Sequence, residues 1–314
     1  MDLAVLLIAT RFALYLDLML VFGLPLFSLY TLRTAGQRAS VDVIRPGTIT
    51  ILLMAGIALS AASFLLLAAT MSDVPINEID RDALRAMLDE TAIGTSAKVR
   101  TMALLAALPL GFLLWARPRT WWALSCGLGA VALGSLAWTG HGAADDGRAG
   151  LVHLAADLVH LLAAGVWIGA IAALSLLLAR ASRADDDQPD RAVLAHRALD
   201  DFSTVGSISV ALLVVTGTVN SWILIGPANI LSLPAFLYGR LLLIKLLLFA
   251  GMLALAALNR FRLTPAIDRS LATGQSAAAV RSIRYSVAVE ASLAVAVLML
   301  VAWLGTLDPL AAAT

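Results

Sequence analysis

This 314-residue chain predicts an all-α fold, a polytopic transmembrane bundle of about eight helices, and three observations carry that prediction. Hydrophobic residues make up 61% of it and charged residues 14%, with a mean hydropathy of +0.90, whereas a soluble domain is about half apolar and a quarter charged. Apolar stretches of roughly the 17 to 25 residues that a spanning helix needs recur along the chain. None shows the ten-residue alternation of a membrane barrel, and in hydrocarbon a helix is then the way to satisfy every backbone N–H and C=O.

Taken in order, the spans run from about Leu3 to Tyr30, Thr48 to Met71, Val99 to Ala116, Thr120 to Thr139, Leu151 to Leu178, Ser203 to Ile225, Tyr238 to Leu258 and Ser286 to Leu307, within one membrane domain covering 1–314. The first begins MDLAVLLIATRFALYLDLML, with no basic n-region and no small-residue cleavage site, and is read as a retained helix. Its Arg11 and Asp17 are six residues apart, about 240° around a helix, and so face different neighbours. The loop 72–98 holds INEIDRDALRAMLDE, whose Ile76, Ile79, Ala83 and Met87 fall on one face at helical spacing. A short amphipathic helix at the membrane surface is expected there, or else a lid or a docking surface for a soluble partner. The segment ARASRADDDQPDRAVLAHRALDD reads as a charged connector with a solvated His196.

Orientation follows from Lys and Arg. The connections after helices 1, 3, 5 and 7 carry fourteen, including Arg117, Arg119, Arg260 and Arg262, against five in the others: Arg81, Arg85, Lys98, Arg100 and Arg148. The positive-inside rule puts the richer set in the cytoplasm and both termini outside. Helices 3 and 7 each begin near a basic residue and end in an Arg-x-Arg pair, which hints at two four-helix halves of parallel orientation.

Composition also excludes functions. A net charge of +1, with no basic cluster interleaved with aromatics, argues against nucleic-acid binding. The single cysteine, Cys126, permits neither an intramolecular disulfide nor a CxxC site, and its apolar surroundings suit a buried, inert thiol. No Walker A motif is present to cradle ATP. No enzymatic activity is expected.

The chemistry concentrates on the fifth span. His153, Asp157 and His160 lie at offsets of four and seven, on one stripe within roughly 60° of arc. Ionisable groups at membrane depth are costly unless they face partners or water, so such a stripe reads as a functional site, with an inter-helix hydrogen-bond network as the structural alternative. A rise of ~1.5 Å per residue sets His160 about 10 Å beyond His153, a ladder running inward. His141, just past the fourth span, is tied to the ladder's mouth by the short loop GAADDGRAG. Imidazole and carboxylate suit Cu(II), Zn and Ni, while Cu(I) sites favour thioether and imidazole. The methionines at helical spacing read as core filler. Asn220 and Glu290 are further polar groups on a possible path. Lys245 reads as one half of a structural ion pair. Glu290, near the start of the eighth helix, is too far from Lys245 along the membrane normal, so Arg260 or the Asn259 amide is its expected partner. Gly165 and Gly169 form a GxxxG spacing that admits close approach of another helix.

Several ordered motifs then match a known family. They are T-G-H ending at His141, H-L-A-A-D-L-V-H-L-L-A-A-G-V-W-I-G from His153 to Gly169, F-S-T-V-G-S-I-S-V-A-L-L-V-V-T-G-T-V-N-S-W from Phe202 to Trp222, Y-G-R-L-L-L-I-K-L-L-L-F from Tyr238 to Phe249, A-L-N-R-F-R-L-T-P from Ala257 to Pro265, and the Glu290 helix ending in G-T-L. Together they resemble the CopD copper-resistance membrane proteins of bacteria, most closely over 140–314. Many members carry a His in the first helix soon after an Arg-Phe pair, whereas this chain has Leu14 and Tyr15 after Arg11-Phe12. The resemblance implies a cytoplasmic-membrane protein that handles copper, Cu(I) or Cu(II), with a periplasmic carrier of the CopC type, and usually in the inward direction.

Two functions are therefore expected to compete. In the first, copper passes His141 and descends by the metal ligands His153, Asp157 and His160, with Asn220 and Glu290 along the path. The alternative is a membrane redox or sensing protein holding a b-type haem or a quinone. His153 and His160 project from one face of one helix and cannot both ligate the same haem iron.

Overall fold

The computed structural model describes residues 2–34, 44–114, 116–139, 147–181, 189–266 and 276–309, and among them every regular element is helical. Eight helices are long and apolar enough to cross a membrane. They are α1 (Leu3–Thr34), α2 (Pro46–Ser72), α3 (Ala92–Ala107), α4 (Pro118–Gly134), α5 (Gly147–Ala181), α6 (Pro189–Ile225), α7 (Leu237–Leu258) and α8 (Ser276–Leu304).

Local chemistry sets the boundaries. Pro46 and Pro118 stand in the first turns of α2 and α4, where the missing N–H would be unpaired in any case. Thr91 caps α3 by accepting from the Gly94 N–H at 3.1 Å, so α3 starts at Ala92, seven residues before the expected Val99. Pro109 then interrupts the span, which resumes as the short helix Leu110–Leu113. α4 tightens into a 3₁₀ turn over Ser135–Thr139, and α7 runs into a π-helical turn over Asn259–Leu263.

Two expectations are corrected here. Lys98 and Arg100 are not loop residues, because capping at Thr91 draws them into α3, where Arg100 is buried with only 3% of its surface exposed. α8 likewise begins at Ser276 rather than near Ser286, so Glu290 lies 14 residues into its helix instead of close to its start.

In the 72–98 loop an α-helix does form, over Arg81–Glu90 after a 3₁₀ turn at Ile76–Glu78, since the Asp80 carboxylate caps it by accepting from the Ala83 N–H at 3.2 Å. Ile76 and Ile79 therefore precede it and Ala83 is exposed; the half-buried face is Leu84, Met87 and Leu88. Lys98 reaches back from α3 to Asp89 at 3.1 Å and ties this surface helix to the bundle.

α1 and α5 form the centre. α1 packs on α2, α4, α5 and α8, and α5 packs on α6, α8, α1 and α4. Leu18, Trp122, Leu133, Ala170 and Leu178 are fully enclosed between them. The α1–α5 crossing is built on glycine: a Cβ placed on Gly169 would fall on the backbone of Gly23, and one on Gly23 would strike the Gly165 carbonyl and the Gly169 backbone. The GxxxG spacing thus receives α1 in backbone-to-backbone contact. A separate apolar cluster of Ala163, Trp167, Ile171, Leu213, Met252 and Ala294 joins α5 to α6, α7 and α8. That cluster frames the polar residues of the fifth helix.

Candidate metal-handling site in the α5–α6 seam

α5 runs unbroken through His153, Asp157 and His160, so helical geometry alone places them on the stripe the sequence predicts. α6 lies against that stripe and answers two of the three residues. His160 Nδ1 is 2.9 Å from the Thr216 hydroxyl, and the Asn220 amide Nδ2 donates to Asp157 Oδ1 at 3.4 Å. Thr216 and Asn220 are four residues apart, which matches the three-residue spacing of Asp157 and His160 on an antiparallel helix.

The Thr216 hydroxyl decides the tautomer of His160. It has one proton, which it donates to the Leu212 carbonyl at 2.6 Å. Toward the imidazole it therefore accepts, so Nδ1 carries the ring proton and Nε2 keeps its lone pair. Gly217 makes room for the ring, since a Cβ there would lie 3.4 Å from His160 Cε1. On the other pair, Asn220 Oδ1 is buried with no hydrogen-bond partner. An imidazole nitrogen, a carboxylate and a bare amide oxygen are thus set along one seam, a donor set that a borderline cation such as Cu(II) can use.

His153 is 1% exposed, enclosed at the N-terminal end of the row. Among the described residues no three of His, Cys, Asp and Glu converge on one point that could hold a metal ion. The row is a succession of positions, each ~4.5 to 6 Å from the next along the helix axis, and not one coordination shell. His141 lies outside the described residues.

Lys245 of α7 comes near enough to act electrostatically on both Asp157 and His160. No ion pair within bonding distance joins it to a carboxylate among the described residues, where the two salt bridges are Arg85–Asp82 and Lys98–Asp89. The expected structural ion pair is thus not found among the described residues, and the Lys245 amine stands beside the seam.

Further along the same face, Trp167 is seven residues beyond His160, or ~10 Å. Its indole Nε1 donates to Glu290 Oε1 at 2.8 Å, and the Asn259 amide Nδ2 donates to Oε2 at 3.2 Å. Asn259 is indeed a partner of Glu290, as depth in the membrane predicts. Arg260 is not: its guanidinium turns to the Ser203 carbonyl at 3.3 Å and to the Ser207 hydroxyl on α6. The π-helical turn that starts at Asn259 aims the two side chains apart. Glu290 is 4% exposed. Thr216 and Trp167 were not picked out by the sequence. Trp167 continues the heptad His153, His160, Trp167, a spacing that could have marked it; Thr216 sits in an apolar run with nothing to distinguish it.

Comparison with known proteins points one way. Residues 1–151 match the family described as copper resistance protein D-like, N-terminal domain, and residues 196–304 match the family described as copper resistance protein D. Copper resistance protein D of Pseudomonas syringae pv. tomato is 41% identical over 310 residues, covering 96% of each chain. Copper transport protein CutJ of Bacillus subtilis (strain 168) is 36% identical over 123 residues, 39% of this chain and 21% of that protein. No solved structure matches.

Proposed function

Because the chain belongs to the copper resistance protein D family, we propose that it carries copper across the bacterial cytoplasmic membrane, from periplasm to cytoplasm, along the polar stripe of α5. The ion, as Cu(I) or Cu(II), is the cargo. In this reading both termini face the periplasm, and a carrier of the CopC type delivers copper near His141 and His153. The surface helix Arg81–Glu90 lies at the same end of the bundle as Leu3, Thr139 and Gly147 and is a candidate landing surface.

The observation that carries the proposal is the pairing across the α5–α6 seam. Thr216 orients His160 with Nε2 open, and Asn220 binds Asp157 while its own carbonyl oxygen stays unpartnered. Groups that orient a metal ligand through its second atom fix its tautomer and raise its basicity. An idle structural network would leave no lone pair of this kind buried without a partner. Beyond the seam, Glu290 supplies the next anionic position, held in place by Trp167 and Asn259. Spacing of the positions along α5 suits a hand-over from one to the next, since no single site then holds the ion too tightly to release it.

Copper-64 flux into sealed vesicles of known orientation tests the reading. Inward flux in the wild-type protein, abolished when His153 and His160 are both replaced by Ala in folded protein, is expected. Unchanged flux in the double variant would show the stripe to be structural, and a Soret band in the purified protein would favour a haem protein.

A further inference from the structure

A second polar locus lies in the first half of the bundle, away from the α5 stripe. Arg11 of α1 and Arg100 of α3 both line a cavity of about 30 Å³, together with Tyr15, Ser63 of α2 and Thr139 at the end of α4. Arg100 is 97% buried: its Nε donates to the Ser60 hydroxyl at 3.0 Å, but its Nη1 has no partner. Arg11 Nε is likewise buried and without a partner. Neither guanidinium forms an ion pair among the described residues. The nearest acid on α1, Asp17, turns its carboxylate to Gly56 instead and does not line the cavity.

Two permanently charged groups that line one cavity, each with a buried N–H donor that has no partner, form an uncompensated positive site. Guanidinium groups do not discharge by losing a proton, so compensation must come from an anion. The volume limits the choice. A cavity needs about 10 to 15 Å³ to hold one water-sized particle, so about 30 Å³ suits a monatomic ion better than a tetrahedral oxyanion with five heavy atoms. The other half of the chain sharpens the contrast. Arg100 and Lys245 each lie eight residues into the third helix of their half, α3 and α7. Lys245 acts electrostatically on a carboxylate and an imidazole, whereas Arg100 shares its cavity with a second arginine and bonds a hydroxyl group.

We propose that the Arg11–Arg100 cavity binds a single monatomic anion, a halide, between the two guanidinium groups. Tyr15 and Ser63 supply hydroxyl groups around the ion, and the cavity is separate from the copper path.

The test uses purified, metal-free, full-length protein in detergent at constant ionic strength, with gluconate as the background anion. Chloride or bromide titrated into it should raise Tm saturably, because a ligand that binds only the folded state stabilises it by mass action. Sulfate should not. Arg11→Gln and Arg100→Gln should each weaken the apparent halide affinity about tenfold or more, the effect of losing a hydrogen bond to a charged group. Bromide should give an anomalous peak between the two side chains. Absence of a halide effect on the native protein, an equal effect in a folded Arg11→Gln or Arg100→Gln variant, or water without bromide in the cavity would each overturn the proposal. If neither variant folds, the native titration and the bromide peak decide.

Discussion

Replacing Thr216 by Val removes one hydroxyl from the α5–α6 seam and leaves its shape unchanged. In the native protein that oxygen accepts the Nδ1 proton of His160 over 2.9 Å and is itself 93% buried with the rest of its side chain. Two outcomes are open to the imidazole in the variant. It can keep the Nδ1 proton as an unpaired buried donor, at a cost of about 1 to 3 kcal/mol. Alternatively the proton moves to Nε2, and the nitrogen that was free to bind copper is blocked. With about 1.4 kcal/mol per tenfold, either route lowers copper affinity by roughly 10- to 100-fold, the range seen when a group orienting a metal ligand is lost. Competition against a chromophoric chelator measures the affinity, and initial uptake into sealed vesicles measures the consequence. Thr216→Ser, which keeps the hydroxyl, should stay near wild type. Wild-type affinity in the Val variant, or equal loss in the Ser and Val variants, would refute the argument, the second because it would trace the effect to the methyl group.

Three further outcomes are expected. Glu290→Gln should slow delivery of copper to the far side while binding at His153 and His160 stays intact, and stability should change by less than about 1 kcal/mol, because the unpartnered Asn259 Oδ1 can turn to accept from the new amide; equal loss of binding at both levels, read by chelator competition, would count against a separate role. Lys245→Met removes the amine that acts electrostatically on Asp157 and His160, so copper should bind about tenfold more tightly and leave more slowly, and an unchanged dissociation constant would show that this amine carries no charge felt in the seam. Gly169→Leu forces a side chain onto the backbone of Gly23 and should destabilise the bundle by at least about 1 to 3 kcal/mol, seen as a lowered Tm in detergent; wild-type stability would mean that α1 and α5 are not in contact there.

The spans were legible because each is an apolar run bounded by charge or proline, and all eight fall where hydropathy places them. Boundaries were less so. The polar letters of Thr91, Thr95, Ser96, Lys98 and Arg100 read as loop, yet the Thr91 cap and the burial of Arg100 among other helices make them the first turns of α3. The α5 stripe was legible because helical periodicity is a property of one segment. What faces that stripe was not, since the rotation of α6 and α7 about their own axes depends on packing between helices. Thr216, and the approach of Lys245 to the stripe, therefore emerged only with the structure. The Glu290–Asn259 contact lies between these cases: depth from helix ends narrowed the partner to two adjacent residues, and the π-helical turn selected Asn259 over Arg260.

The glycine crossing of α1 and α5 has a mechanical consequence. With the backbones of Gly23, Gly165 and Gly169 in direct contact, those two helices have no side-chain cushion over which to slide, and they act as a single stiff mast. α6 and α7 are the least buried of the eight spans, and α5 is the most buried. Thr216, Asn220 and Lys245, which answer the α5 stripe from α6 and α7, are thus carried by the two spans most exposed at the bundle surface, while His153, Asp157 and His160 stay fixed to the mast. Any gating motion should be a swing of α6 and α7 against a stationary α5. Spin labels on α6 and α1 should accordingly change separation as copper binds, while a pair on α1 and α5 keeps its distance.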